Sequence, residues 1–356
     1  MNILAIESSC DDTSVALVDI TDNTIKILTE KTASQIDIHK KYGGVVPEIA
    51  GRKHAEKITP LVEEILKDFG KPDIIAVTSG PGLITGLIVG VETAKTLSYL
   101  WNIPLIGVNH IEGHIWSSML QNTNNKEQTI FPHKNVNYPL VSLIVSGGHT
   151  ELILSKKSGH YEKIGGTRDD AAGEAFDKIA KLIGLEYPGG PKISHHALSG
   201  NTTSIAFPRP MTDSDNFDMS FSGLKTSALY WLRDNAKKDN KTKTYQLKNK
   251  NLQDFCASYE QAIIDVLVKK SKKAIGQYKP KTFILGGGVS ANKKLRESLQ
   301  KMVIDMCCKF RMSNLKYSMD NATMIALASY DHAKKKEFIS WKKLEANPNW
   351  KIYDHI

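Results

Sequence analysis

The chain has 356 residues, which is enough for two domains that each bury a sizeable core. Its 41% hydrophobic and 8% aromatic residues are typical of an ordinary soluble globular protein. The four cysteines form no C-x-x-C pair and no metal-ligand spacing, which argues against a disulfide framework and indicates reduced cytosolic thiols. The net charge of +9 is compatible with an anionic partner.

No targeting or membrane segment is expected. The first residues, Met1 to Glu7, already have the pattern of a strand, so we expect no leader before the fold. Residues 74–91 contain no charge, which reaches the length of a membrane span. Serine, threonine, proline and four glycines interrupt this stretch, which favours a strand, a glycine loop and a helix start. We therefore expect a cytoplasmic protein that does not enter the membrane.

Two passages of the chain have the same predicted shape. Residues 3–7 and 13–18 form a hairpin around a polar turn, and residues 139–145 and 150–154 form another. Each hairpin is followed by a strand, a glycine loop and a helix: strand 74–79 with helix 86–101, and strand 282–285 with a helix from about residue 290. This internal duplication predicts an α/β fold with two lobes and a central cleft.

The predicted first lobe comprises residues 1–134 and is completed by residues 323–356, and residues 135–322 form the second lobe. The polar stretch 121–137 is the candidate hinge between them. Helices are predicted at 47–56, from a capped restart at Thr59-Pro60 to Gly70, at 169–184 and at 252–273.

His110 and His114 follow a short buried strand and lie on a predicted helix. Residues four apart stand on the same helix face, which suits two imidazoles that bind one metal ion. Two unrelated histidines at this spacing are the alternative. The zincin motif H-E-x-x-H places its general base directly after the first histidine. Here the acid is Glu112, about 200° around the helix from His110, so it should point away from a bound metal and a zinc protease is disfavoured.

Three glycine-rich turns stand beside predicted strands: residues 80–86, Ser146-Gly-Gly148 and Gly286-Gly-Gly288. Such turns let backbone N–H groups approach an anion. None is a Walker A loop, and residues 80–86 are one residue too long for the dinucleotide fingerprint. Packing in tight turns is the alternative for each loop, but three loops in a duplicated chain favour a nucleotide site. Ser222-Gly-Leu-Lys225 fits a serine–lysine acylase pattern, but its companion K-T-G is absent.

The positive charge is concentrated in three clusters, at residues 269–273, 334–336 and 236–251. These clusters are compatible with contact to a nucleic acid, although solvated helix faces and a floppy loop would give the same pattern. No aromatic-rich RNA-binding motif accompanies them.

The chain resembles the tRNA N6-adenosine threonylcarbamoyltransferase family, long mislabelled as O-sialoglycoprotein endopeptidases. The similarity covers nearly the whole length and rests on ten motifs that occur in order. They are Glu7-Ser-Ser-Cys-Asp-Asp-Thr13, Tyr42-Gly-Gly-Val-Val-Pro-Glu48, Ser79-Gly-Pro-Gly-Leu83, Asn109-His-Ile-Glu-Gly-His114, Val145-Ser-Gly-Gly-His-Thr150, Asp169-Asp-Ala-Ala-Gly-Glu-Ala-Phe-Asp177, Tyr187-Pro-Gly-Gly-Pro191, Ser220-Phe-Ser-Gly-Leu-Lys225, Gly286-Gly-Gly-Val-Ser-Ala-Asn292 and Asp320-Asn321.

The resemblance implies a duplicated actin/Hsp70-like fold (ASKHA, ribonuclease H-like). It implies transfer of a threonylcarbamoyl group from threonylcarbamoyl-AMP to the N6 amine of adenosine 37, in tRNAs that read codons starting with A. It implies one divalent metal, Fe(II) or Zn, on His110, His114 and Asp320. Residues implied to line the adenylate site are Ile144, Val145, Ser146, Gly147, Gly148, Asp177, Gly190 and Asn292.

Glu7 and Asp11 are the candidate catalytic residues, and Asp11 is our hypothesis for the group that takes the proton from the attacking amine. The resemblance also implies two protein partners, an inactive paralogue of the same fold and a small P-loop ATPase. Lys192 and Ser194 stand where relatives commonly carry acids, which puts a sugar contact from position 194 in doubt. An ATP-dependent kinase of the same fold and a metal-dependent hydrolase or protease remain the alternative functions.

Overall fold

The protein divides into two compact units. The structure, a computed structural model, describes residues 1–21, 24–122, 129–130 and 136–354. The first unit comprises Met1–His39, Val45–Asn137 and Met312–Ile356, and the second comprises Lys40–Gly44 and Tyr138–Arg311. The lobe boundaries drawn from the sequence remain a prediction. The candidate hinge falls mostly on residues 123–128 and 131–135, which lie outside the described part of the chain.

The first unit is built on a mixed sheet. Its strands are β1 (Asn2–Glu7), β2 (Asp12–Ile20), β3 (Thr24–Ser34), β4 (Ile74–Gly80), β5 (Leu105–Asn109), β6 (Gln121–Asn122) and β7 (Thr129–Ile130). Its helices are α1 (Ile36–His39), α2 (Pro47–Phe69), α3 (Ile84–Trp101), α4 (His110–Ser117) and the last helix of the chain, Ala322–Lys334. In the described residues the strand order is β5-β4-β1-β2-β3-β7-β6, with β4 parallel to both β1 and β5.

The core of this unit forms because β1 and β2 are apolar on both faces. Leu4 and Ile6 of β1 are fully buried and join one cluster with Ile58 and Val62 of α2. Burying one such side chain contributes roughly 1.5–3 kcal/mol, so this packing fixes the strand on which the candidate site is built.

Helix α2 corrects the prediction of two helices broken at Thr59-Pro60. The helix is continuous from Pro47 to Phe69 and contains Pro60 in its interior. An interior proline costs about 3 kcal/mol, because it lacks the N–H and clashes with the preceding turn. The buried face continues through this point, from Ile58 to Val62 and Ile65. Apolar burial on both sides of Pro60 therefore outweighs the local penalty.

The second unit repeats the same topology. Its strands are β8 (Leu140–Val145), β9 (Thr150–Lys157), β10 (His160–Gly166), β11 (Lys237–Lys238), β12 (Tyr245–Gln246), β13 (Thr282–Gly286) and β14 (Lys309–Met312). Its helices are α5 (Ala172–Leu182), α6 (Gly189–Ala197), α7 (Ser222–Asn235), α8 (Asn249–Tyr278) and α9 (Lys293–Asp305), so the last helix of the chain, Ala322–Lys334, is α10.

The two sheets confirm the predicted duplication. The second unit has the order β10-β9-β8-β13-β14, which matches β3-β2-β1-β4-β5 strand for strand. Both predicted hairpins are present as antiparallel pairs, β1 with β2 and β8 with β9. The sequence analysis missed the third strand of each unit, β3 and β10. Both have alternating or mixed burial at the sheet margin and carry a weak apolar signal.

Residues 74–91 form β4, a glycine loop and the start of α3, as predicted. Among the helices of the described residues, none combines the length and apolar character that crossing a bilayer requires.

Candidate metal centre and nucleotide site

Helix α4 carries both histidines and begins directly where β5 ends. Asn109, the last residue of β5, caps the helix, because its side-chain oxygen accepts a hydrogen bond from Ile111 N at 3.0 Å. Its side-chain nitrogen donates to the carbonyl of Trp350 at 3.4 Å, which ties the cap to the C-terminal segment. The imidazoles of His110 and His114 lie one turn apart with ring centroids 4.7 Å from each other. The predicted helical spacing is therefore confirmed.

Asp320 joins the two histidines from the segment before α10. Gly113 lets the two helices approach, since an added Cβ would lie 3.0 Å from Ile325 Cδ1. The Asp320 Oδ1 atom is 3.3 Å from His114 Nε2 and 3.6 Å from His110 Nε2. Bonds of about 2.0–2.2 Å to one metal place neighbouring ligand atoms roughly 3–3.5 Å apart, so these separations suit a shared ion. One ligand atom from each of His110, His114 and Asp320 lies within 4.8 Å of the other two.

His114 provides the strongest sign that the group is built for a ligand. Its side chain is fully buried; Nδ1 has no partner within the described residues, and Nε2 has only the Asp320 carboxylate, 3.3 Å away and not in hydrogen-bond geometry. A buried polar atom without a partner costs about 1–3 kcal/mol. Burial lowers the pKa of His114 and favours the neutral imidazole, which is the form that binds metals. Two histidines and one carboxylate with open positions are typical of Fe(II) sites, and three protein ligands also suit Zn.

Glu7 holds His110 from the side opposite Asp320. The Glu7 side chain is fully buried, and its Oε2 lies 3.1 Å from His110 Nδ1. It also accepts hydrogen bonds from Ser9 N and from the hydroxyl of Thr78, both at 2.6 Å. A carboxylate on the far nitrogen of an imidazole is the usual support of a metal-binding histidine, because it leaves Nε2 free of a proton. Burial lowers the pKa of His110, but Glu7 and Asp320 outweigh it and raise the pKa to about 9, so without a metal both ring nitrogens are protonated at neutral pH and a bound metal would have to displace the Nε2 proton.

Glu112 lies away from this cluster, as predicted. Its Oε2 accepts a hydrogen bond from His332 Nε2 at 3.0 Å. This carboxylate is therefore engaged with α10, and the general base of a zinc protease is not provided by Glu112.

Asp11 and Asp12 follow Glu7 in the turn between β1 and β2. Burial and repulsion from Asp320 raise the pKa of Asp11. Burial raises the pKa of Asp12 to about 7, and within the described residues its Oδ1 has no hydrogen-bond partner. Asp12 is therefore unusually ready to take up a proton at neutral pH.

The second unit contains the residues implied for the nucleotide. Ile144 and Val145 are buried at the end of β8, and Ser146 closes the following turn by accepting a hydrogen bond from His149 N at 3.0 Å. A Cβ added to Gly147 or Gly148 would meet nothing within 4 Å. The backbone of this turn therefore borders open space, as a phosphate-binding turn requires.

Asp177, Gly190 and Asn292 lie around α6. The Asp177 Oδ1 atom accepts a hydrogen bond from Gly189 N, at the start of α6, at 2.7 Å. Asn292 is committed within the protein: its Nδ2 donates to Ser194 Oγ at 2.9 Å and to Glu260 Oε1 at 2.7 Å. Its Oδ1 caps α9 by accepting from Leu295 N at 2.8 Å. Asn292 is thus placed to organise α6 and α9.

Three supporting residues escaped the sequence analysis: Ser9, Thr78 and Glu260. Thr78 directly follows the last residue of β4 that pairs with β1, so pairing β1 with β4 would have placed it beside Glu7. Glu260 was detectable as a single acid inside the apolar face of α8, where it is 4% exposed. The Ser222–Lys225 pattern has no catalytic geometry, since Ser222 donates to Asp169 and Lys225 to Asp170, each at 2.7 Å.

Known proteins are similar to this chain in sequence and in fold. The family model for tRNA N6-adenosine threonylcarbamoyltransferase matches residues 26–327. The enzyme of that name from Halalkalibacterium halodurans is 44% identical over 340 residues, which cover 94% of this chain and 92% of that protein. The one from Thermosipho africanus is 44% identical over 357 residues, which cover 99% of this chain and 100% of that protein.

Solved structures show the same fold at low identity. HypF from T. kodakarensis matches with a TM-score of 0.59 at 12% identity, covering 96% of this chain and 49% of that chain. The activator of 2-hydroxyisocaproyl-CoA dehydratase from Clostridium difficile, with bound ADPNP, matches with a TM-score of 0.50 at 10% identity. The match covers 95% of this chain and 97% of that chain. These proteins confirm the predicted actin-like fold class. The sequence matches go further: the chain belongs to the tRNA N6-adenosine threonylcarbamoyltransferase family and is an acyltransferase that modifies tRNA.

Proposed function

We propose that this enzyme transfers the threonylcarbamoyl group of threonylcarbamoyl-AMP to the N6 amine of adenosine 37, in tRNAs that read codons starting with A, and releases AMP. The observation that carries the proposal is the group formed by His110, His114 and Asp320, with a fully buried His114 that makes no hydrogen bond within the described residues. We propose that these residues hold one divalent metal, Fe(II) or Zn.

When bound, the metal would polarise and orient the threonylcarbamoyl group. Glu7 keeps the proton of His110 on Nδ1, so that Nε2 faces the metal, and it acts as a positioning residue because it is fully buried. The attacking amine loses a proton as its bond to the carbamoyl carbon forms and the bond to the AMP phosphate oxygen breaks. Asp11, whose pKa is raised by burial and by repulsion from Asp320, is the proposed acceptor of that proton.

The second unit would hold the adenylate. The open backbone of Ser146-Gly147-Gly148 supports a phosphate contact, and Asp177 is the proposed acceptor for ribose hydroxyls. The commitments of Asn292 to Ser194 and Glu260 support an indirect role, in which it fixes the surrounding elements. We also propose an inactive paralogue and a small P-loop ATPase as partners, on the family resemblance alone.

A reconstituted transfer reaction tests this function. The metal-loaded protein and its partners are incubated with threonylcarbamoyl-AMP and unmodified tRNA, and the digested nucleosides are read by mass spectrometry. We expect threonylcarbamoyladenosine from the wild type and its loss in His114→Ala and Asp320→Ala. The matched control is Glu112→Gln, on the same helix but bonded to His332, which should keep the product. No product from the wild type, with partners that are active on a control transferase, would refute the proposal and favour the kinase alternative.

A further inference from the structure

The second unit carries a strongly basic hairpin that the chemistry above does not use. The hairpin, residues 237–246, contains four lysines and one acid, and two more lysines follow at 248 and 250, so residues 236–251 carry a net charge of +5 out of +9 for the whole chain. The stretch is folded: β11 pairs antiparallel with β12. Asp239 organises its tip, because the carboxylate accepts hydrogen bonds from Lys241 N at 2.8 Å and Thr242 N at 3.3 Å. The acid of the hairpin is thus occupied by backbone, and the lysine side chains point outward and are exposed.

The tip of the hairpin borders a pocket of about 440 Å³ between α5 and α7. Four lysines, three threonines and two leucines line it: Lys178, Lys181, Lys225, Lys243, Thr226, Thr242, Thr244, Leu182 and Leu229. Asp170 pairs with Lys178 and Lys225, each at 2.7 Å, and Glu174 adds a second contact to Lys178. Lys181 and Lys243 have no carboxylate partner within the described residues. The pocket therefore keeps an excess of positive charge, which suits a phosphate group.

The hairpin and α7, which both line the pocket, also carry further lysines and one exposed aromatic ring. In the part of the chain that the structure describes, Lys237, Lys238, Lys241 and Lys248 also lack a carboxylate partner. Tyr230 on α7 is 53% exposed, and the Arg233 guanidinium lies 5.0 Å from its ring centre. Basic groups beside an exposed aromatic ring are a usual composition for RNA contacts, since phosphates and unstacked bases can both be held.

We propose that the hairpin 237–246 and this lysine-lined pocket form a contact surface for tRNA phosphates. The inference rests on the proposed function only in taking tRNA as the substrate. A solvated lysine surface would need no concave wall beside its unpaired ammonium groups. Contacts of this kind fix the position of the RNA and do not read its sequence.

The test compares two triple variants of the full chain. The first is Lys181→Gln, Lys241→Gln and Lys243→Gln, and the control is the same change at Lys272, Lys301 and Lys309, which are exposed lysines of the same unit. Fluorescence anisotropy gives the Kd for unmodified tRNA between about 50 and 200 mM KCl, where phosphate contacts dominate the salt dependence. Each lost phosphate contact lowers the slope of log K against log salt by about 1, so we expect a loss of about 3 and at least tenfold weaker binding at low salt. The control should stay within twofold of the wild type at every salt concentration.

Three outcomes would overturn the surface: an unchanged slope in the first variant, equal weakening in the control, or no tRNA binding by the wild type at low salt. The kinetics of the transfer reaction distinguish a failure of this contact surface from a failure of the proposed function. The first variant should raise the KM for tRNA at least fivefold and keep kcat, whereas a lower kcat at unchanged KM contradicts the inference. If the wild type binds tRNA but makes no product, the proposed chemistry fails and the binding surface still stands on its own measurement.

Discussion

The support that Glu7 gives to His110 can be tested by one isosteric change, Glu7→Gln. The carboxylate accepts hydrogen bonds from Ser9 N and from Thr78 Oγ1, and it also accepts one from the Nδ1–H group of His110. A glutamine has one acceptor oxygen and one donor nitrogen, so it cannot serve all three donors. If its NH₂ group faces His110, Nδ1 becomes an acceptor and the ring proton moves to Nε2, where the metal would bind.

The expected magnitude follows from this loss of support. Removing the partner of a metal-binding histidine typically weakens metal binding 10- to 100-fold, or about 1.4–2.7 kcal/mol. The dissociation rate is the best readout, because it starts from the metal-bound state and does not depend on the protonation of the metal-free site. The protein is loaded with Zn or Fe(II), an excess of a coloured chelator is added, and metal release is followed. We expect release to be 10–100 times faster in Glu7→Gln than in the wild type.

Two variants calibrate this measurement. Thr78→Val removes one donor to Glu7 and leaves its carboxylate on His110, so release should accelerate by no more than about fivefold, the value of one hydrogen bond of about 1 kcal/mol. His110→Ala removes the ligand itself and should retain no metal. If Glu7→Gln releases metal within twofold of the wild-type rate while His110→Ala retains none, the carboxylate does not tune the site and the reasoning is refuted.

Three further predictions concern other parts of the first unit. Burial lowers the pKa of His332, but Glu112 and Glu337 outweigh it and raise the pKa to about 9. His332→Gln should therefore lower the free energy of unfolding by about 2 kcal/mol at pH 6, after allowance for partial exposure, and by nearly nothing above pH 9. Urea unfolding measures both values. Gly80→Ala should destabilise by at least about 2 kcal/mol in the same assay, because φ is +154° and the new Cβ would lie 1.9 Å from a backbone oxygen. Asp11→Asn should slow single-turnover transfer by about 10²–10⁴-fold with unchanged metal content.

Each of these predictions has its own control. The pH dependence of the His332 contribution follows because its folded-state pKa lies above the unfolded value of 6.5. The stabilisation by His332 is therefore complete below pH 6.5 and disappears as the pH rises through 9. A cost that grows with pH contradicts it, and His195→Gln, on an exposed position, should show no such trend. Gly44→Ala has a similar φ of +151° but open space around the new Cβ, so it should cost less than Gly80→Ala. An unchanged transfer rate in Asp11→Asn removes that residue from the mechanism.

The parts of this structure that the sequence predicted are those with local signals. The hairpins, the glycine loops and the His110–His114 spacing depend on residues a few positions apart, where turn chemistry and helix periodicity act directly. Asp320 could be added only through the family resemblance, because more than 200 residues separate it from His114. The contact of Glu7 with His110 was not predicted either, since it requires the order β5-β4-β1, in which β4 separates the strands carrying them. Pro60 shows the opposite failure: a strong local signal was overridden by packing of the helix face.

The duplicated topology places the two candidate sites at equivalent positions of the two units. In each unit the site lies where parallel strands end: Glu7 and His110 follow β1 and β5, and Ser146 and Gly287 follow β8 and β13. The same close contact recurs at both places, since a Cβ on Gly82 would lie 2.6 Å from the Ser9 carbonyl oxygen and one on Gly287 would lie 2.5 Å from that of Val145.

The difference lies in the turn after the first strand of each unit. In the first unit this turn contains Asp11 and Asp12 and follows Glu7, and carboxylates with imidazoles select a cation. In the second unit the same turn is Ser146-Gly147-Gly148, which has no side-chain charge and contains two exposed glycines, an arrangement that suits an anion. One repeated backbone can therefore carry a candidate cation site in the first unit and a candidate anion site in the second. Exchanging the glycine turn for the acidic one should abolish nucleotide binding while leaving metal binding in the first unit intact.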